Sequence, residues 1–180
     1  MKHPKGLYLL FFTEMWERFS YYGMRALLVL YLTKSFIDGG LGFSDGSATM
    51  LYGIFTGLVY FSPLIGGWIA DNYIGQRKSI IIGSIVMMLG QFTLASGQNT
   101  GCLYIGLIFL IIGNGFFKPN ISVLLGSLYP QGDSRRDSAF TIFYMGINLG
   151  AFLAPLLTGY VAVVYDYRYG FLISGLGLLI

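Results

Sequence analysis

Ionisable side chains are scarce in this chain. Asp, Glu, Lys and Arg make up 11% of its 180 residues, against about 25% in soluble domains. Hydrophobic residues reach 55% and the mean hydropathy is +0.68, so the chain reads as a membrane protein. A soluble enzyme, a disordered tail and a secreted disulfide scaffold are excluded. The net charge of +3 is then no signal for nucleic acid. A single cysteine, Cys102, forbids an internal disulfide and reads as a packing residue. Histidine is reduced to His3 on the N-terminal tail, so a metal site of His and Cys is not expected. No Ser/His/Asp set and no Gly-rich phosphate loop follows a strand, so an enzyme with catalytic residues is not expected. A secretory signal is missing too, because the apolar run after Lys5 carries four charges.

Glycine, at 26 residues, and aromatics, at 17%, are abundant. Membrane helices use glycine for close approach and aromatics at their interfaces. A spanning helix needs roughly 20 residues. The apolar stretches predict an all-α membrane bundle, one domain over residues 1–180, with spans near 7–36, 48–70, 79–96, 102–129, 140–164 and 171–180. The last is incomplete: ten residues of helix reach about 15 Å of a hydrocarbon core about 30 Å thick. The chain is therefore expected to be part of a longer protein.

Lys2, Lys5, Arg77, Lys78, Arg135 and Arg136 fall on one side of the predicted membrane; Arg168, with Lys34 at the edge, falls on the other. That asymmetry predicts a multi-pass protein with a cytoplasmic N-terminus. Gly53-x-x-x-Gly57 and Gly146-x-x-x-Gly150 predict close helix packing within the chain.

Charges inside a span are costly and face a cavity or a partner. The first span carries Glu14, Glu17, Arg18 and Arg25. At about 100° per residue these four and Tyr21 fall within an arc of about 100°. Leu9, Phe12, Phe19, Leu27 and Leu30 form the opposite, apolar face, which is expected to pack. An ion-pair lattice that only locks helices accounts for Glu14 and Arg18, an i,i+4 pair. It accounts poorly for Arg25, and it leaves Lys118 in the fourth span without a partner. Together these are three cations against two acids. A cationic surplus in a cavity receives an anionic group, and neighbouring carboxylates exchange protons. Pro119 beside Lys118 predicts a kink that turns the lysine to the cavity. Asn148, mid-span in the fifth helix, fits either a helix–helix hydrogen bond or a ligand contact.

Glu14-Met-Trp-Glu17-Arg18-Phe19 with Tyr21-Tyr22-Gly23 resembles the E-x-x-E-R-F…YYG motif of the proton-dependent oligopeptide transporters, a family of the major facilitator superfamily. Gly66-Gly67-Trp-Ile-Ala70-Asp71-Asn-Tyr-Ile-Gly75 resembles its signature between helices two and three. Phe116-Phe117-Lys118-Pro119-Asn120 is similar to its fourth-helix lysine segment. The run from Phe140 through Phe143, Tyr144 and Asn148 to Gly150 is similar to its fifth-helix signature. The motifs stand in order along the whole chain; Ser79 departs from the family's usual small apolar residue or threonine.

The resemblance implies the N-terminal six-helix bundle of a major-facilitator transporter. It implies symport of di- and tripeptides by alternating access, with protons as the coupling ion and no cofactor. Glu14, Glu17 and Arg18 would couple protons. Arg25 and Lys118 would receive the peptide carboxylate, with Tyr21, Tyr22, Tyr60 and Asn148 lining the cavity. Asp71, Arg77 and Lys78 would form cytoplasmic gating contacts. The implied partners are the peptide, the lipid bilayer of the cell membrane and a C-terminal half that this chain lacks, with no nucleic acid. The alternatives are the same fold carrying nitrate or another small anion, and a transport-incompetent half-length membrane scaffold.

Overall fold

The computed structural model describes residues 2–179. Six helices follow in order: α1 (Lys5–Thr33), α2 (Asp45–Ile69), α3 (Gln76–Ser96), α4 (Thr100–Ser127), α5 (Arg136–Val164) and α6 (Tyr167–Leu176). A π turn, Ala70–Ile74, extends α2, and a 3-10 turn, Gly177–Leu179, follows α6. There is no strand among the described residues.

Most helices begin two to four residues before the predicted apolar run. In α2, α4 and α6 the reason is capping, which a hydropathy reading does not see. Ser44 accepts the amide of Ser47 at 3.3 Å, Asn99 that of Cys102 at 2.8 Å and Asp166 that of Arg168 at 2.7 Å. Each satisfies a donor left over in a first helical turn. At the other end α1 stops at Thr33, short of the predicted 36. The following loop turns back, and the amides of Leu41 and Phe43 reach the carbonyls of Tyr31 and Leu32 at 2.8 Å. Phe36 and Ile37 are therefore loop residues, and both are exposed.

α2, the π-extended helix, α3, α4 and α5 are each long and apolar enough to cross a membrane. α1 matches them in length, with 29 residues, but carries its charges mid-span. α3 lies along α4, α1 along α5, and α2 against the other side of α4, while α6 enters the seam between α3, α5 and α1.

Glycines set these distances. Pro119 cannot donate to the carbonyl of Gly115, and Gly66 of α2 lies directly on that carbonyl. A Cβ at Gly66 would overlap it. Gly66→Val is expected to lower stability by roughly 1–3 kcal/mol or more, read as a fall in the thermal midpoint in detergent. Gly57→Val meets open space and should leave the midpoint in place; equal falls would contradict this contact.

Two expectations need correction. Gly146 and Gly150 do pack within the chain, on Phe11 and Met15 of α1, but Gly53 and Gly57 touch nothing among the described residues. And the apolar face of α1 is divided. Phe19 and Leu27 are buried, whereas Leu9, Phe12 and Leu30 are exposed at 64%, 50% and 48%. α1 needs only a narrow seam to seat α5 and α6, so the rest of that face stays open.

Between α4 and α5 the chain is held by a short ionic clasp. Arg135 donates to both oxygens of Asp133, at 3.0 and 2.7 Å. These bonds pull the Asp133 carboxyl down to about 2. The clasp is therefore complete above the ordinary aspartate value of about 4 and is lost as pH falls through about 2. In an NMR titration Arg135→Gln should raise the Asp133 midpoint part of the way toward the ordinary range, because the backbone amide of residue 135 still donates to the carboxylate at 2.9 Å; an unmoved midpoint would contradict the clasp.

Candidate functional site

The mid-span charges of α1 converge. Glu14, Glu17, Arg18 and Tyr21 are all buried. Arg18 Nε stands 3.1 Å from Glu14 Oε1 and is also paired with Glu17 Oε2. One guanidinium against two carboxylates leaves a residual negative charge. Lys118 of α4 faces both acids and balances that charge without forming a direct ion pair among the described residues. Its ammonium lies 4.6 Å from the centre of the Tyr60 ring on α2. An ammonium over an aromatic face is held by the ring quadrupole while its other donors stay available.

Two turns beyond Arg18, Arg25 meets a second aromatic of α2. Its Nε donates to the Tyr52 hydroxyl, and its guanidinium carbon lies 5.4 Å from the centre of that ring. Nε is thereby engaged, and the two terminal nitrogens form the remaining edge of the fork. Arg18 stacks 5.5 Å from Tyr21, and Tyr21 meets Tyr22 edge-on at 5.4 Å. The wall shared by α1, α2 and α4 thus carries two titratable acids, three cations and a row of phenols. Such a surface can hold a carboxylate, and it can take up or release a proton beside it.

Not every predicted residue joins this wall. Asn148 is exposed on α5. Gly146 and Gly150, two positions before and after it, face α1, so Asn148 points to the opposite side of its helix. Asp71, Arg77 and Lys78 lie at the turn between α2 and α3, all exposed. Asp71 accepts from Gln76 Nε2 at 3.1 Å, and neither basic residue pairs with it among the described residues. A cavity of about 570 Å³ lies elsewhere, between α1, α3, α4 and the 3-10 turn after α6, with Leu10, Trp16, Ile81 and Leu124 in its lining. It contains none of the acidic cluster.

Two residues escaped the sequence reading. Tyr52 has no local signal, since only the register of α2 against α1 brings it to Arg25. Asn114 donates to Glu17 Oε1 at 3.4 Å, and it had a signal: it is a polar residue in a span, four positions before Lys118.

The family model of the POT family matches residues 77–180. Over 180 residues the chain is 46% identical to the peptide transporter YePEPT of Yersinia enterocolitica, covering 99% of this chain and 35% of that protein. It is 44% identical over 178 residues to a di-/tripeptide transporter of Lactococcus lactis, covering 98% of this chain and 36% of the relative. It thus spans about a third of the length of these relatives. Among solved structures, the peptide transporter POT in complex with sulfate superposes with a TM-score of 0.96 at 46% identity, covering 98% of this chain and 36% of the other. A POT family transporter in complex with 5-aminolevulinic acid gives 0.95 at 40% identity, with the same coverage. The helices described above thus have the arrangement found in solved POT structures, and this chain belongs to the POT family.

Proposed function

We propose that this chain supplies the N-terminal portion of a proton-coupled symporter of di- and tripeptides that works by alternating access in the cell membrane. The observation that carries the reading is the buried cluster of Glu14, Glu17 and Arg18 facing Lys118, with Arg25 on the same wall. Titratable acids and surplus cations at mid-span are what coupled uptake of a carboxylate requires.

In this reading Arg25 receives the peptide carboxylate through the free edge of its fork, and Lys118 adds a point charge from α4. Tyr21, Tyr22 and Tyr60 complete the wall. Glu14 and Glu17 take up the proton, and Arg18 holds whichever acid remains charged. The carboxylate and the proton carry opposite charges, so loading both leaves the net charge of the wall unchanged. Asp71, Arg77 and Lys78 serve as gating groups at the cytoplasmic turn. Relatives described as peptide transporters support the substrate class. The solved complexes with sulfate and with 5-aminolevulinic acid, an amine bearing a carboxylate, support an anion-receiving wall.

Counterflow in proteoliposomes of the full-length parent tests the substrate. Labelled dipeptide should exchange against unlabelled dipeptide and not against nitrate. Exchange of nitrate alone would assign the fold to a small anion, and no exchange of either would point to a scaffold.

Orientation is proposed from the basic residues at the turns. A single cysteine introduced at position 77 of a Cys102→Ser background should resist an impermeant thiol reagent in intact cells and react after permeabilisation. Labelling from outside would reverse the topology.

A further inference from the structure

Asn114 is 1% exposed, and its Oδ1 has no partner among the described residues. Its neighbours fix where it points. A Cβ on Gly113 would lie 2.7 Å from the carbonyl oxygen of Gly83 in α3. One on Gly115 would lie 2.9 Å from that of Ser62 in α2. α4 is clamped between α2 and α3 at this level, and the intervening side chain projects toward α1. Lys118, one turn further on, shares that side.

The two oxygens of Glu17 have different partners. Oε2 is held by Arg18. Oε1 faces the Asn114 amide. A guanidinium has donors and no acceptor, so a proton added to Glu17 belongs on Oε1. The Nδ2 donor that suits a carboxylate there would confront the new O–H. Half a turn of the amide puts Oδ1, an acceptor of nearly the same shape, in its place. One amide atom lacks a partner before and after the turn, so the exchange adds no unmatched polar group to the buried site.

We infer that Asn114 is a positioning residue for the proton site, holding charged Glu17 through Nδ2 and protonated Glu17 through Oδ1, and turning over as the proton arrives. One O–H bond forms on Glu17 with a proton from solvent, and the reverse step returns it. The inference rests on the coupling role proposed above for Glu17. The charged groups that face Glu17 are Glu14 and Arg18 on its own helix and Lys118 on α4. The charged side chains of α2, α3, α5 and α6, namely Asp45, Arg77, Lys78, Arg136, Asp137 and Arg168, all lie in first turns, away from mid-span Glu17. Tyr21, Tyr22, Tyr52 and Tyr60 are the phenols on the same wall.

Infrared difference spectra of the full-length parent across pH steps read the link directly, without transport. Protonation of Glu17 should bring a carboxylic-acid carbonyl band that Glu17→Gln removes. In the same step the Asn114 amide carbonyl should move to lower frequency, as an acceptor does. Asn114→Leu should delete that shift. Asn114→Gln, which keeps the amide, should displace it and serves where the leucine variant does not fold. A Glu17 band that rises while the amide band stays still overturns the inference. In proteoliposomes Asn114→Leu should cut proton-driven uptake of labelled dialanine about tenfold while counterflow stays within about twofold, as expected when a buried charged group loses a partner. Equal falls in both would make Asn114 a wall residue and overturn the inference. A parent that takes up no dialanine while the two bands move together would overturn the symporter reading and support this link.

Discussion

Replacing Arg25 by lysine in the full-length parent should weaken binding of a dipeptide on the order of tenfold or more, although the charge is kept. Tyr52 occupies Nε of Arg25, so in the proposed reading a carboxylate is received by the two terminal nitrogens of a planar fork. Lysine offers one compact ammonium on a flexible stem and cannot present two parallel donors. A charged hydrogen bond contributes roughly 1.5–3 kcal/mol, and each 1.4 kcal/mol is about tenfold in affinity. The loss should shrink sharply for a dipeptide whose C-terminus is amidated, since that ligand has no carboxylate to grip. Binding isotherms for acid and amide, in parent and variant, make the comparison. Equal loss for both would make Arg25 a structural charge of the wall. Tyr52→Phe should lie between parent and lysine variant, because it frees Nε without removing the fork.

Glu17→Gln should abolish uptake driven by a proton gradient while peptide exchange across the membrane continues. Glu14→Gln should act in the same direction. The amide keeps the shape of the side chain and part of its hydrogen bonding but cannot gain or lose a proton. Glu17 is the stronger case. It is fully buried, whereas Glu14 is 4% exposed, and it alone meets both Arg18 and Asn114. Gradient-driven accumulation at parental rate in both variants would place the proton site elsewhere.

How much of this wall a reader of the sequence could see depends on how local the signal is. Glu14, Glu17, Arg18 and Tyr21 belong to one helix, where rotation per residue fixes the face, and all four are buried together. Lys118 announced itself as a charge in an apolar run. Tyr52 and Asn114 act across helices. Their positions depend on how closely α2 and α4 approach their neighbours, and those distances rest on Gly66, Gly113 and Gly115. A glycine does not announce its contact in sequence. Gly53 and Gly57 have the same spacing as Gly146 and Gly150, yet only the second pair touches another helix among the described residues. The exposure of Leu9, Phe12 and Leu30 was hidden for a related reason. Apolar residues of a membrane helix face lipid as readily as protein, so hydrophobicity alone does not identify the packed side.

The coupling of a proton to a peptide is measured most directly by uphill accumulation. The full-length parent is reconstituted in liposomes with labelled dialanine at equal concentration on both sides, and an inward proton gradient is imposed. Net accumulation inside, abolished by collapsing the gradient and absent in Glu17→Gln, is the expected result. Uptake that only equilibrates, whatever the gradient, would contradict the proposed proton coupling.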